Sequence, residues 1–398
     1  MPLLTRRDAL IWTACLVLVS AVLVATGFTS DDPDSALYAD LSARLAAGPP
    51  SHWIAPEWWG NWDSEGWFRE HPAGVFFLPT LLGAGGLPGV QAAYVIGIAA
   101  GLGCLLMMAS LVGSLTSRAE GRAALVLLQL MPLASIFRIR ANHEYPMLAC
   151  LLLALLGADA ARRSWKWIWI TPAALVAALL VKGVFVVLPL IALGYWVLID
   201  PRRTGGPIVR PIAAVAAGLV AMVATALAYD AAYVRVTGET FWGPYWERQL
   251  APLTLATPGE GGDTLLSHSL FYALRLLWHP APWSVSLVLA LWLHRRRLGE
   301  HWHRWPASVR RGLVFALVTA GTIVVMLIPA SRFAERYIFA ANYLVAAAGV
   351  VVALRIWPRL AAVTAHLDHR VPGFPAVVWL ALMAARLLLG PFLPRISG

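Results

Sequence analysis

Residues 90–113 read VQAAYVIGIAAGLGCLLMMASLVG, a stretch without a charged side chain. An α-helix rises about 1.5 Å per residue, so a run of this length crosses the roughly 30 Å hydrocarbon core of a bilayer. Similar apolar runs recur along the chain and predict an all-α polytopic membrane protein with about eleven transmembrane helices. The other runs lie at 10–28, 121–138, 146–161, 166–182, 183–199, 211–230, 270–294, 312–330, 337–355 and 374–391.

The composition indicates the same class of protein. Of the 398 residues, 59% are hydrophobic and 13% are charged, whereas soluble globular chains carry about 25% charged residues. The net charge of +10 comes from short basic clusters between apolar runs, which is typical of membrane topology rather than of a nucleic-acid surface. Cys15, Cys104 and Cys150 lie inside apolar runs without metal-type spacing. We therefore expect no nucleic-acid partner, no disulfide framework and no thiolate metal site.

The basic clusters also predict which loops face the cytoplasm. With the N-terminus inside, every cluster of three or more basic residues falls in a cytoplasmic loop, as the positive-inside rule requires. This assignment treats residues 72–84, a short apolar stretch broken by Pro79 and Gly83, as an interfacial or re-entrant helix. Two long segments, 29–89 and 231–269, then lie outside. We interpret residues 1–398 as one membrane domain without a large soluble C-terminal domain.

The first outer loop carries groups that are able to do chemistry. Leucines recur every fourth residue from 37 to 45, which predicts a short interfacial helix over 35–47 with Asp34 as its N-cap. Asp34 is either only this cap or also a catalytic carboxylate. The tryptophans of the loop are interfacial anchors by default, and stacking on a sugar ring is the alternative. The loop ends in Glu70-His71-Pro72, an acid and a potential base where the chain re-enters the interface.

Isolated charges mark the later outer helix ends. Lys182, followed by Gly183, lies at the outer junction of two apolar helices, where it opposes the positive-inside bias; intramembrane charges are functional by default. The remaining polar groups are either solvated headgroup contacts or parts of a site that binds an anionic lipid head and activates a hydroxyl. They are Arg140, His143 and Glu144; Trp242, Tyr245 and Glu247; and Arg332, Arg336 and Tyr337.

The motifs of the first loop resemble those of the GT-C membrane glycosyltransferases, in the branch of the protein O-mannosyltransferases and the lipid A aminoarabinose transferases. Asp34 and Tyr38 match an acidic residue followed by a Tyr-containing interfacial helix in that branch. Glu70-His71-Pro72 matches an acid, a basic residue and a proline, with His where Lys is often found.

Later motifs extend the resemblance over about residues 30–355 in the same order. Glu144-Tyr145-Pro146 stands where an Asp, one residue and a Pro are usual, a conservative departure. Lys182-Gly183 matches a Lys-Gly at the end of a span, and Ser331-Arg332 with Tyr337 matches a late turn of Ser, Lys or Arg, and Tyr. Each motif is short, so the specificity of the resemblance comes from the whole set.

The resemblance implies an inverting transfer of a sugar from a polyprenyl-phosphate donor to a hydroxyl acceptor, which is a lipid, a glycan or a protein of the cell envelope. It implies Asp34 as the general base, with Glu70 as a second catalytic carboxylate. Fixed cations would stabilise the phosphate leaving group. These donor-binding residues are Lys182, Arg332, Arg336 and Tyr337; the substrate-binding or supporting residues are Tyr38, His71, Arg140, His143, Glu144, Trp242, Tyr245 and Glu247.

The resemblance leaves the metal open and implies a location. Glu70 and His71 either orient Asp34 or hold a divalent cation; zinc suits the nitrogen ligand, and magnesium or manganese suits carboxylates. The expected location is a bacterial inner membrane, with several spans and a site that faces the periplasm or exterior.

Two other classes of function compete with an enzyme. A lipid or solute transporter places ionisable residues near the bilayer mid-plane and repeats broken helices in two halves, whereas these ionisable residues collect at one face and no repeat is evident. A non-catalytic scaffold gives no reason for Lys182 to lie between apolar helices. The sequence therefore favours an enzyme.

Overall fold

A computed structural model describes residues 3–58, 66–200, 207–251, 265–293, 295, 302–330 and 334–389. These residues form an all-α protein with one two-stranded hairpin at its surface. The α-helices, in chain order, are α1 (Arg6–Ala25), α2 (Pro33–Ala47), α3 (Gly74–Ala84), α4 (Gly89–Leu115), α5 (Arg118–Leu127), α6 (Pro132–Ile136), α7 (Glu144–Arg163), α8 (Ile170–Lys182), α9 (Val187–Ile199), α10 (Val209–Thr237), α11 (Trp242–Tyr245), α12 (Leu265–Trp278), α13 (Trp283–Leu293), α14 (Ala307–Leu327), α15 (Phe339–Ile356), α16 (Pro358–Arg370) and α17 (Phe374–Leu389).

The helices confirm a polytopic membrane protein, although not the number of spans. Within the described residues, 7 helical segments are long and apolar enough to cross a membrane, or up to 9 if each of two bent pairs is one span. The expected count of about eleven is therefore not confirmed. The expected spans at 270–294 and 374–391 each belong to a bent pair: α12 and α13 meet at 96°, and α16 and α17 at 91°. The expected span at 121–138 is broken into α5, a 3₁₀ turn and the short α6.

The segment Trp165–Ile199, although long and predominantly apolar, reverses direction at its centre. Arg162 Nη1 lies 2.8 Å from Asp200 Oδ1, so the two ends of the segment lie on the same side of the bundle. The reversal is the 3₁₀ turn Gly183–Val186 between α8 and α9. Lys182 thus lies at the tip of a helical hairpin, at the junction that the sequence predicted.

The first long loop folds against one end of the bundle. Its elements are α2, a 3₁₀ turn at Pro50–Ile54, the antiparallel strands β1 (Glu57–Trp58) and β2 (Gly66–Trp67), and α3. The apolar helix α3 has 11 residues, which span only about 16 Å at 1.5 Å each. It is too short to cross a bilayer, as the sequence predicted for residues 72–84. We call the face that carries α2, α3 and residues 238–251 the outer face.

One set of ion pairs lies at this outer face, and another lies at the opposite face. The residues predicted to be cytoplasmic contact one another: Arg355 Nη2 lies 3.1 Å from Glu120 Oε2, and Arg122 Nη1 lies 2.9 Å from Asp8 Oδ2. Residues predicted to be outside form a second set of pairs at the outer face. The two predicted groups of residues thus lie at opposite ends of the bundle, and which end faces the cytoplasm stays a prediction. The two sets are held apart by one large apolar core, in which the span Glu335–Ile356 is 94% buried.

Candidate active site

The centre of the outer face is an enclosed ion pair between two helix ends. Glu144 is the first residue of α7, and Lys182 is the last residue of α8. Lys182 Nζ lies 3.3 Å from Glu144 Oε1, and their side chains are only 4% and 1% exposed. The ammonium also lies 4.8 Å from the centre of the Phe185 ring and 5.8 Å from that of Tyr337. Aromatic faces attract a cation without neutralising it, so the pocket can hold Lys182 charged.

Two buried histidines extend this centre towards the first loop. The rings of His71 and His143 are 4.7 Å apart, and His143 Nε2 lies 3.0 Å from Glu144 Oε1. Among the described residues, the Nδ1 atoms of both rings have no hydrogen-bond partner. Burial lowers the pKa of His143 and lowers that of His71 well below its usual value of 6.5. Both imidazoles are therefore neutral at neutral pH.

Tyr38 of α2 joins the first loop to the histidines. Its ring lies 5.6 Å from the His143 ring and packs against Phe68 and Phe76. Burial, with the carboxylates of Glu144, Glu70 and Asp32 nearby, raises the pKa of the Tyr38 hydroxyl well above 10.0. The predicted residues Tyr38, His71, His143, Glu144 and Lys182 are thus in one cluster.

The N-terminus of α2 differs from the expectation. The helix begins at Pro33 rather than at residue 35, and its N-cap is Asp32, whose side chain accepts a 3.0 Å hydrogen bond from the Ser35 amide. The expectation that Asp34 caps the helix is wrong, because proline is favoured at the first helical position and the cap precedes it. Asp32 also lies 3.3 Å from Arg140 Nη1. This pair fixes the start of α2 against the 138–143 turn.

Asp34 is left free of the capping role and faces Arg336 instead. The carboxylate of Asp34 and the guanidinium of Arg336 form an ion pair, with side chains 42% and 38% exposed. Arg336 precedes Tyr337, whose ring lies beside Lys182, and Asp34 lies one helical turn before Tyr38. The Asp34–Arg336 pair therefore lies at the solvent-accessible edge of the buried cluster.

Tyr245 packs against the turn that follows Lys182. The side chain is 2% exposed, and its hydroxyl accepts a 3.0 Å hydrogen bond from the Val184 amide and lies 3.4 Å from the Lys182 carbonyl. Gly183 has a φ of +57°, and a Cβ there would lie 2.3 Å from the Tyr245 hydroxyl. The turn after Lys182 thus requires a glycine, both for its left-handed backbone and for the close approach of the tyrosine.

The remaining predicted residues lie further out or outside the described residues. Glu70 is half-buried and close enough to Tyr38 to raise its pKa. Trp242 packs in an aromatic cluster with Tyr245 and donates to the Ala226 carbonyl at 2.8 Å, whereas Glu247 is exposed. Arg332 lies outside the described residues.

A divalent metal was one alternative for Glu70 and His71. In the described part of the chain, no group of three or more His, Cys, Asp or Glu side chains could hold a metal ion. The His143 ring lies between Tyr38 and the ring of His71. Whether Glu70 and His71 hold a divalent cation or orient Asp34 stays an open prediction, and the chemistry below is written without a metal.

The sequence interpretation did not find two contributors to the site. Asp32 is not among the predicted site residues, although Pro33 after it is a start signal for a helix. Phe185, three residues after Lys182, approaches the ammonium because the chain turns back at Gly183–Val186. No short-range signal distinguishes this phenylalanine from the apolar residues around it.

Comparisons with solved structures define the class of fold. ArnT from Cupriavidus metallidurans in the apo state is 15% identical with a TM-score of 0.61, and the match covers 98% of this chain and 65% of that chain. ArnT from the same organism bound to undecaprenyl phosphate is 17% identical with a TM-score of 0.65, covering 96% and 72%. ArnT has the GT-C fold, and this chain shares that fold, as the resemblance in the sequence implied. The chain spans slightly less than two thirds of the apo ArnT chain.

A family match lies within this fold. Residues 71–229 match the family described as dolichyl-phosphate-mannose-protein mannosyltransferase. The matched segment includes four of the five clustered residues, His71, His143, Glu144 and Lys182. A comparison with curated protein sequences finds no match.

Proposed function

We propose that this protein is a polyprenyl-phosphate-dependent glycosyltransferase of a bacterial inner membrane. It transfers a sugar, with inversion, to a hydroxyl acceptor on the periplasmic face. The observation that carries the proposal is the Lys182–Glu144 pair, buried at the outer face beside two neutral histidines and next to the more exposed Asp34–Arg336 pair. The family match and the likeness to ArnT bound to undecaprenyl phosphate support the choice of donor.

The site supplies both groups that this reaction requires, a buried cation for the leaving phosphate and a carboxylate for the acceptor hydroxyl. Lys182, held by Glu144 and by the faces of Phe185 and Tyr337, is positioned to receive the donor phosphate. As the bond between the anomeric carbon and the phosphate oxygen breaks, the negative charge on the departing polyprenyl phosphate grows. A preorganised cation in a water-poor pocket stabilises that charge more strongly than it would in water.

Asp34 is the general base of the proposal. Its carboxylate takes the proton of the acceptor hydroxyl as the hydroxyl oxygen attacks the anomeric carbon from the face opposite the phosphate. In the structure, Asp34 is paired with Arg336. Because both side chains are more than a third exposed, separating them costs only about 0–1 kcal/mol. The donor phosphate competes for Arg336, so donor binding frees the base that the reaction then uses.

Undecaprenyl phosphate binding to the purified protein tests the phosphate site. Removing Lys182 alone would leave the buried Glu144 carboxylate without its cationic partner, so the informative variant is Lys182→Met combined with Glu144→Gln. Loss of a hydrogen-bonded charge partner costs about 2–5 kcal/mol, which corresponds to at least a 30-fold weaker Kd. Glu144→Gln alone is the matched control, since it keeps the ammonium and should bind at least as tightly as the wild type. Equal affinity of the double variant and its control would rule out Lys182 as the phosphate ligand.

A further inference from the structure

A second buried polar cluster lies beside Arg336 and has no part in the chemistry above. Its centre is His279, in the bend between α12 and α13, whose Nε2 lies 3.2 Å from Oε2 of Glu335. The side chains of His279 and Glu335 are 2% and 7% exposed. Arg275 Nε lies 3.3 Å from the same carboxylate oxygen. A buried carboxylate is costly unless donors surround it, so this arrangement needs a reason.

The hydrogen bonds connect three separate elements. The Asn342 amide nitrogen lies 3.3 Å from His279 Nδ1. With this amide as the donor, Nδ1 accepts, the proton of the neutral ring sits on Nε2, and Nε2 donates to Glu335. His279 therefore joins the α12–α13 bend, the 3₁₀ turn Glu335–Ile338 and the first turn of α15.

The geometry of the 3₁₀ turn relates the direction of the Arg336 side chain to that of Glu335. A 3₁₀ helix has three residues per turn, so successive side chains point about 120° apart. Glu335 points inward to His279, and the next residue, Arg336, points across the outer face to Asp34. Holding Glu335 in place therefore limits where the Arg336 guanidinium can go.

We propose that Glu335 and His279 are positioning residues, which hold the 335–338 turn so that Arg336 reaches the donor phosphate. The inference rests on the proposed function for the identity of the ligand, but not for the anchoring of the turn. An anchor that served stability alone would have no reason to use a buried carboxylate, because apolar groups of similar volume often stabilise a core as well or better.

A double-mutant cycle separates positioning from stability. Glu335→Ala should weaken undecaprenyl phosphate binding about 10-fold, because residues that act through one another couple. In an Arg336→Ala background, the same change should add nothing, since the side chain that it positions is gone. Glu335→Gln, which keeps an acceptor for His279, should restore most of the affinity and guards against a Glu335→Ala protein that does not fold. Glu120→Gln breaks a comparable carboxylate–arginine pair at the opposite face and should leave affinity unchanged.

Hydrogen–deuterium exchange gives a readout without a ligand. In Glu335→Ala, backbone amides of residues 334–338 should exchange faster than in the wild type, while those of α7 and α8 stay protected. Faster exchange without any binding of undecaprenyl phosphate by the wild type would leave the anchor intact and overturn the proposed donor. Unchanged exchange in 334–338, or an equal loss of affinity with and without Arg336, would overturn the positioning role.

Discussion

The structure separates two carboxylates of the first loop that lie two residues apart, and the same substitution at each tests their roles. Asp32 caps α2 and pairs with Arg140, whereas Asp34 makes no capping bond and faces Arg336. Asn caps a helix about as well as Asp, but it cannot accept a proton as a general base at neutral pH. Asp34→Asn and Asp32→Asn are therefore a matched pair.

The contacts give the size of each effect. Asp34→Asn loses one ion pair whose side chains are 42% and 38% exposed, so the free energy of unfolding should change by no more than about 1 kcal/mol. The turnover of Asp34→Asn should nevertheless fall about 10²–10⁴-fold, which is the usual contribution of a positioned proton acceptor. Asp32→Asn retains the cap and should keep turnover within about 10-fold of the wild type. Asp32→Ala, which removes the acceptor of the Ser35 amide, should cost about 0.5–2 kcal/mol of stability.

The assay measures release of polyprenyl phosphate per folded enzyme, together with the melting temperature and the donor Kd of each variant. The reasoning predicts low turnover with normal stability and donor binding for Asp34→Asn. The reverse pattern, with transfer lost in Asp32→Asn and kept in Asp34→Asn, would refute it and make Asp32 the base. If neither change affects turnover, the base is another carboxylate, and Glu70 and Glu144 are the next candidates.

Three further predictions concern the turn, the histidines and the sidedness. Gly183→Ala should lower the melting temperature and weaken donor binding, because the new Cβ would lie 2.3 Å from the Tyr245 hydroxyl and φ is +57°. The control is Gly103→Ala, whose Cβ would meet open space and which should be neutral or stabilising. Equal effects of the two changes on the melting temperature would contradict the packing described around Gly183. The free energy of unfolding should fall as the pH drops below about 6.5, because the lowered pKa of buried His143 makes the unfolded chain bind more protons than the folded chain at this pH. In melting curves between about pH 7.5 and 5.5, the melting temperature of a His143→Gln protein should depend less on pH than that of the wild type. An unchanged pH dependence in this variant would contradict the role of His143. Single cysteines introduced at the exposed positions Ser51 and Ala119 should react with an impermeant maleimide from opposite sides of the membrane. The three native cysteines are buried and should not contribute to the labelling. Labelling of both positions from the same side would overturn the topology.

The hydrophobic pattern predicted the membrane class and most helices, because apolar runs report directly on burial in lipid. It did not predict the bends. The span expected at 270–294 breaks at residues 279–282, where Pro280 and Pro282 interrupt the helix. Mean hydropathy does not register this interruption, although proline is the ordinary signal for it. The same averaging found the apolar helix at 374–391 but did not show α16, the more polar helix that precedes it.

The sequence predicted the residues of the buried site better than it predicted the contacts beside that site. The resemblance selected Lys182 and Glu144 through short motifs, the cluster of ionisable residues in the outer turn added His143, and the structure brings the three together. It did not select the contact between His279 and Glu335, which are 56 positions apart in the chain, since 335 − 279 = 56. Such a pairing depends on how the α12–α13 bend packs against α15, and no local pattern in one sequence contains that information.

Incubation of the purified protein with a panel of polyprenyl-phosphate-linked sugars tests the central claim most directly. The account predicts that at least one donor releases polyprenyl phosphate and gives a product of inverted anomeric configuration, and that Asp34→Asn binds this donor but does not turn it over. Movement of an intact lipid or solute across reconstituted vesicles, with no donor in the panel cleaved, would contradict the account and make the protein a transporter.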